Sequence, residues 1–271
     1  MTSGFLSIFR RADSALEEQK PRNVAADALG LPATLPPPAA PRRVPVASEP
    51  VPPVHKPEIA RLVLSVDATS SRAAAWKTSQ RIMDALFEAL PGELMVALAV
   101  HGGSQVHTFT KFVPDVTALR RQAARIQCKA GSTALLDIFV RVLQADKPVR
   151  VIVYVGDVFE ESLPDADRLA KELAARETCV IVLHDRAQLF APQARVADAV
   201  FQRIAAITGG TVLPFDASAI DELRAMLAAV AVLAVGGEEM LEAQQETMAA
   251  APVLLERLAE SKRLLIGSTK R

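Results

Sequence analysis

The chain has 271 residues, half of them apolar, and its 31 Lys and Arg balance 31 Asp and Glu for a formal net charge of zero. This length suits one ordinary domain with extensions, and the apolar content is enough for a sizeable core. The charge balance excludes both the overall basic field that draws nucleic acid and an acidic solvating tail. Two cysteines, Cys128 and Cys179, are too few for a disulfide framework and read as reduced thiols.

Residues 1–20 suit a short helix with Phe5, Leu6 and Phe9 on one side and basic residues behind them, the pattern of a docking peptide or a frayed terminus. The apolar run is too brief for a signal peptide, and charges follow it. The longest apolar-rich stretch, Met226 to Gly237, is shorter than the roughly 20 residues that cross a bilayer, so the expected location is cytoplasmic, with no membrane span. Residues 21–58 read as a linker, disordered and extended. Pro32, Pro36, Pro37, Pro38, Pro41, Pro45, Pro50, Pro52 and Pro53 remove amide donors and disfavour helix in their predecessors.

From Ala60 strands alternate with helices. Arg61–Val66 reads as a buried strand ending at Asp67, Arg72–Leu90 as a helix, and Glu93–His101 as a second strand. Gly102-Gly103 suits a hairpin turn into an antiparallel third strand, Val106–Phe112. Helices are expected over Asp115–Cys128 and Ser132–Gln144, then the all-apolar strand Arg150–Val155. The helix Leu163–Glu177, strand Cys179–Leu183, helix Ala197–Thr208, strand Thr211–Pro214 and helix Ala219–Val235 complete the pattern. After Gly236-Gly237 come two helical stretches separated near Pro252, the last placing Leu254, Leu255, Leu258 and Leu265 on one face that packs on the domain. The expected fold is α/β: a doubly wound, mostly parallel sheet with one antiparallel edge strand and helices on both faces.

Three polar segments fall where helices are about to begin, two of them directly after strands: Asp67-Ala68-Thr69-Ser70-Ser71, Gly131-Ser132-Thr133 and Gly156-Asp157. In open α/β sheets ligands gather at the carboxyl ends of strands, where strand order reverses. The donors on offer are two carboxylates and several hydroxyls, with no sulfur or imidazole. Such hard oxygen sets suit Mg²⁺, Mn²⁺ or Ca²⁺ rather than Zn²⁺. Only two negative charges leave the ion electron-poor, so an open position can accept a carboxylate from a partner. Each hydroxyl taken alone also reads as a helix N-cap. Glu160 and Glu161 read as a solvated helix start or as support behind the site. His101 and His107 have no zinc spacing, and His184-Asp185 would need a serine nearby to complete a triad. No nucleophile elbow, dinucleotide fingerprint or P-loop is present.

These segments resemble the metal-ion-dependent adhesion site, or MIDAS, of von Willebrand factor A domains, whose pattern is D-x-S-x-S after the first strand, a distant Thr, and a distant Asp after the fourth. The resemblance covers residues 59–237, about two thirds of the chain, and the Thr208-Gly209-Gly210-Thr211 turn and the helix after Phe215-Asp216 also match. It implies metal residues Asp67, Thr69, Ser71, Thr133 and Asp157, the hydroxyls of Thr69, Ser71 and Thr133 facing the ion directly and the two carboxylates acting largely through water. Thr69 departs from the usual Ser, keeping the hydroxyl but adding a stiffening β-branch. The stretches Val66–Arg72 and Val155-Gly156-Asp157 further resemble stand-alone bacterial members of the family.

The function so implied is non-enzymatic: a module that binds proteins through a Mg²⁺-type ion, or Mn²⁺ or Ca²⁺, and a partner's acidic side chain. Related domains work beside an ATPase in chelatase-like or chaperone-like assemblies, and the resemblance extends that partner class to this chain. The alternatives are a metal-free scaffold working through the Pro-rich linker and the C-terminal extension 238–271, and a metal-assisted phosphoester hydrolase.

Overall fold

The structure, a computed structural model, describes residues 59–69, 94–114, 116–186, 191–214 and 220–268. The expected N-terminal helix, the linker, the helix Arg72–Leu90 and Ser71 lie outside the described residues. Six strands form one sheet: β1 (Ala60–Asp67), β2 (Leu94–Gly102), β3 (Gln105–Phe109), β4 (Val151–Gly156), β5 (Cys179–His184) and β6 (Thr211–Pro214). Their order across the sheet is β3-β2-β1-β4-β5-β6. Every neighbouring pair is parallel except β2 with β3. The described helices are α1 (Val116–Ala123), α2 (Leu135–Leu143), α3 (Leu163–Ala175), α4 (Ala191–Thr208), α5 (Ile220–Ala243) and α6 (Ala250–Ser268).

The strand sequences account for the layering. Along β1, Leu62, Leu64 and Val66 enter one core while Val63 enters the other; β4 divides Val151, Val153 and Val155 from Ile152 and Tyr154 in the same way. Strands covered on both faces must be apolar at nearly every position, and those of β4 are all buried. The first core is closed by α1, α5 and α6, the second by α2, α3 and α4. The chain runs from β1 outward to β2 and β3, then crosses back to β4, β5 and β6 on the other side. Strand order therefore reverses between β1 and β4, and a crevice opens at their carboxyl ends.

Several boundaries differ from expectation. The third strand stops at Phe109, and Val113 rejoins the sheet as a single bridge to Val96. Helix α1 ends at Ala123, not Cys128, because the following segment leaves to bond the end of β1: the Lys129 N–H donates to the Ala68 carbonyl at 2.8 Å. Helix α2 begins at Leu135 rather than Ser132, since Ala134 holds the N-cap position with non-helical angles, φ −143° and ψ 45°. Helix α4 starts six residues early, with Pro192 in its first turn where a missing amide is harmless.

Gly237, at φ 69° and ψ −165°, is non-helical, so α5 is two helices meeting at a kink where the Gly236-Gly237 pair was expected to end the first. The next break falls between Ala243 and Ala250 rather than at Pro252, which sits in the first turn of α6. Leu254 and Leu258 are buried against α5 and the sheet, and Leu255 is half-buried. Leu265 does not join them: α6 runs past the edge of the core, and Leu264, Leu265 and Ile266 are all exposed. Cys128 and Cys179 are free thiols. No described helix is long and apolar enough to cross a membrane.

Candidate metal centre

The register of the sheet brings the two carboxylates to one end. Val66 pairs with Val155, so Asp67 closes β1 and Asp157 follows β4 side by side at the crevice. Thr69 lies just beyond, bridged to Lys129, while the Ala68 N–H donates to the His101 carbonyl at 2.7 Å. The segment after Lys129 is then laced to the β2–β3 turn. The Ser104 N–H donates to the Ser132 carbonyl at 2.8 Å, and the Ser132 N–H donates to the Ser104 hydroxyl at 3.1 Å. Gly131 is required for this approach: its φ is 131°, and a Cβ there would overlap the backbone of Gly103. These bonds deliver Thr133 to the same end of the sheet as Thr69.

All four described residues are withdrawn from solvent, Asp67 exposing 0%, Asp157 1%, Thr69 3% and Thr133 4%. Asp67 Oδ1 accepts the Thr69 N–H at 2.9 Å, a local turn that holds both side chains in place. Asp157 is different: neither of its carboxylate oxygens has a hydrogen-bond partner among the described residues. Burying an unpaired carboxylate costs several kcal/mol, about what burying two large apolar side chains contributes. A cation is the group that removes such a cost. No cluster of three or more His, Cys, Asp or Glu suited to a metal occurs among the described residues, so a cation here would rest on hydroxyls as much as on carboxylates. Two carboxylates with hydroxyl oxygens fit a hard divalent ion.

Reading Thr133 as a simple helix cap does not hold. Helix α2 starts two residues later, and the Thr133 hydroxyl instead donates to Glu161 Oε1 at 3.0 Å and accepts the Glu160 N–H at 3.3 Å. Glu160 and Glu161 are correspondingly not the start of a helix, because α3 begins at Leu163 behind the capping side chain of Ser162. Glu161 crosses to α2 and accepts the N–H groups of Leu135 at 2.7 Å and Leu136 at 2.9 Å. It serves the first amide donors of a helix whose own N-cap residue, Ala134, has no side-chain acceptor. Burial pushes the Glu161 carboxyl up, opposed by these hydrogen bonds. The sequence signal was present but faint: an alanine where α2 needed a cap.

Two histidines hold the site from behind. His101, fully buried, stacks on Tyr154 with ring centroids 5.7 Å apart, and its Nδ1 accepts the Ala134 N–H at 3.1 Å. Burial, and secondarily His107, lowers its pKa to about 3, so the ring is neutral at ordinary pH. Tyr154 needs Gly156 two residues on, where any Cβ would overlap the phenol. His184 joins the Asp157 carbonyl, 2.8 Å from Nε2, to Asp198 Oδ1, 2.8 Å from Nδ1. Both ring nitrogens are thereby engaged, and neither partner is a serine hydroxyl.

A six-stranded sheet with a lone antiparallel edge, α/β crossovers on both faces and this polar crevice between β1 and β4 define the von Willebrand factor A fold. Solved structures agree. A von Willebrand factor type A protein from Catenulispora acidiphila superposes with a TM-score of 0.52 at 15% identity, over 64% of this chain and 42% of that one. Proximal thread matrix protein 1 from the mussel byssus, with a zinc-occupied MIDAS motif, gives 0.50 at 10% identity, over 64% of this chain and 45% of that one. The chain thus spans less than half the length of either. No protein-family model and no curated protein sequence matches it.

Proposed function

We propose that this chain is a divalent-cation-dependent protein-binding module. A Mg²⁺-type ion would be held at the carboxyl end of the sheet by Asp67, Thr69, Ser71, Thr133 and Asp157, and would accept a carboxylate from an acidic side chain of a partner protein. The observation that carries this reading is the buried Asp157 carboxylate, without a hydrogen-bond partner among the described residues and set beside Asp67, Thr69 and Thr133 at the switch point of the sheet. The zinc-occupied MIDAS of the mussel protein supports a divalent ion, since the two share this fold. The ion would supply a Lewis-acidic docking point; the protein's own groups orient it. Asp67 fixes the Thr69 loop, the hairpin and Gly131 bring Thr133 to it, and His184 clamps the backbone of Asp157.

The module is assigned to residues 59–237, with 1–58 as a Pro-rich N-terminal segment and linker and 238–271 as a helical extension. A non-enzymatic role belongs to the same reading, and the His184 nitrogens face the Asp157 carbonyl and Asp198. A cytoplasmic bacterial protein working beside an ATPase or chaperone-like assembly is the partner class we favour. The test is calorimetric titration of the full chain with Mg²⁺, Mn²⁺ and Ca²⁺, with Asp67→Ala as control. One-site binding lost in the variant is the expected result. Absence of heat with all three ions would move the function to the scaffold reading, which the exposed Leu264, Leu265 and Ile266 of α6 favour.

A further inference from the structure

A carboxylate of the chain itself stands against this site: Glu161 accepts the Thr133 hydroxyl. We propose that Glu161 is an internal ligand, occupying the position that a partner's carboxylate would take and keeping the site self-capped until an acidic partner group displaces it. This rests on the metal reading above and adds to it a mode of regulation.

The argument is geometric. Thr133 is one of the hydroxyls assigned to the ion, and Glu161 Oε1 lies 3.0 Å from its oxygen. Adjacent ligands of an octahedral Mg²⁺ shell, each at about 2.0–2.1 Å from the ion, stand about 3 Å apart. The separation that makes a hydrogen bond between Thr133 and Glu161 is therefore also the spacing of neighbouring metal ligands. Glu161 retains the capacity to bind. A carboxylate offers about four acceptor sites, and the Thr133 hydroxyl and the Leu135 and Leu136 amides use three. The second, independent observation is Asp157, four residues earlier on the same loop, buried and with both oxygens unbonded among the described residues.

Two of the bonds that hold Glu161 go to the first amides of α2, donors that a helix leaves without an intrahelical partner. Glu160 differs, being exposed and, among the described residues, reaching the Thr133 N–H at 3.3 Å. It serves as the internal control.

The test is water-proton relaxation of Mn²⁺ bound to the full chain, with acetate as the carboxylate probe. In the parent protein Glu161 excludes one water from bound Mn²⁺, and millimolar acetate leaves the signal unchanged. Glu161→Gln keeps an oxygen for the α2 amides, so the fold is retained. It should bind Mn²⁺ about tenfold more weakly, gain one exchangeable water, and lose it again as acetate is added. Glu161→Asp keeps the charge but falls one methylene short, and should behave like the Gln variant; Glu160→Gln should behave like the parent. Equal water counts and equal acetate responses in parent and Glu161→Gln would overturn the proposal alone, leaving Glu161 as the cap of α2. Failure of every variant and the parent to bind Mn²⁺ would overturn the metal reading, and this proposal with it.

Discussion

The two faces of the sheet are built from different materials. The core under α1, α5 and α6 is aliphatic: Leu62, Leu64, Leu98, Leu227, Leu254 and Leu258 meet there, and no aromatic residue is among its buried members. The core under α2, α3 and α4 holds Tyr154, Phe139 and Phe201. Its aromatic rings continue into the site. His101 stacks on Tyr154, Tyr154 meets Phe201 edge-on at 5.5 Å, and Phe201 meets His184 edge-on at 5.0 Å. One ladder of rings thus connects the histidine behind Ala134 to the histidine behind Asp157. The aliphatic face supplies stability, while the aromatic face also sets the position of the polar groups.

Acid should separate the two faces most strongly. His101 is held near 3 against its ordinary 6.5. The unfolded chain takes up the proton first, so the contribution is intact above pH 6.5. It is lost as pH falls toward 3, on the order of 4–5 kcal/mol in full. Urea melts from pH 7 to pH 4 should show a steeper acid loss in the parent than in His101→Gln; matching slopes would remove His101 from the account.

Truncation within the ladder comes next. Phe201→Ala should cost about 3–5 kcal/mol in denaturant melts and also weaken Mn²⁺ binding, because His184 loses the ring that packs it. Leu254→Ala, on the aliphatic face, should cost about 2–4 kcal/mol and leave Mn²⁺ affinity unchanged. If both variants bind Mn²⁺ like the parent, the division of labour between the faces fails.

The smallest effect has the opposite sign. Asp157→Asn removes a buried charge without a hydrogen-bond partner among the described residues, and should stabilise the metal-free protein by about 1–2 kcal/mol while abolishing the rise in Tm with Mn²⁺. A metal-free variant less stable than the parent would mean that Asp157 is satisfied by residues other than those described.

The strands other than β3 were legible because each is short and largely apolar, and parallel strands buried on both faces leave little room for other composition. The edge hairpin was legible from Gly102-Gly103. The helix ends were less so: α1 stops early because Lys129 bonds Ala68 across the fold, and α2 starts late, where the distant Glu161 accepts its first amides. Asp67, Thr69, Thr133 and Asp157 were readable as hard oxygen donors at element ends, and the structure gathers all four at one end of the sheet; Ser71 lies outside the described residues. For Glu161 the sequence left a solvated helix start and support behind the site both open, since its partners, Thr133 and the first amides of α2, lie 25 to 28 positions earlier in the chain.

The sequence by itself determined the α/β alternation, the buried strands and the donor types, because hydrophobic period and residue chemistry act locally. Tertiary structure alone decided which side chains share a site. The register of β1 against β4, the approach of Gly131 to Gly103, and the reach of Glu161 and His184 across separate elements depend on where the packed chain brings distant segments, and no local pattern encodes that distance.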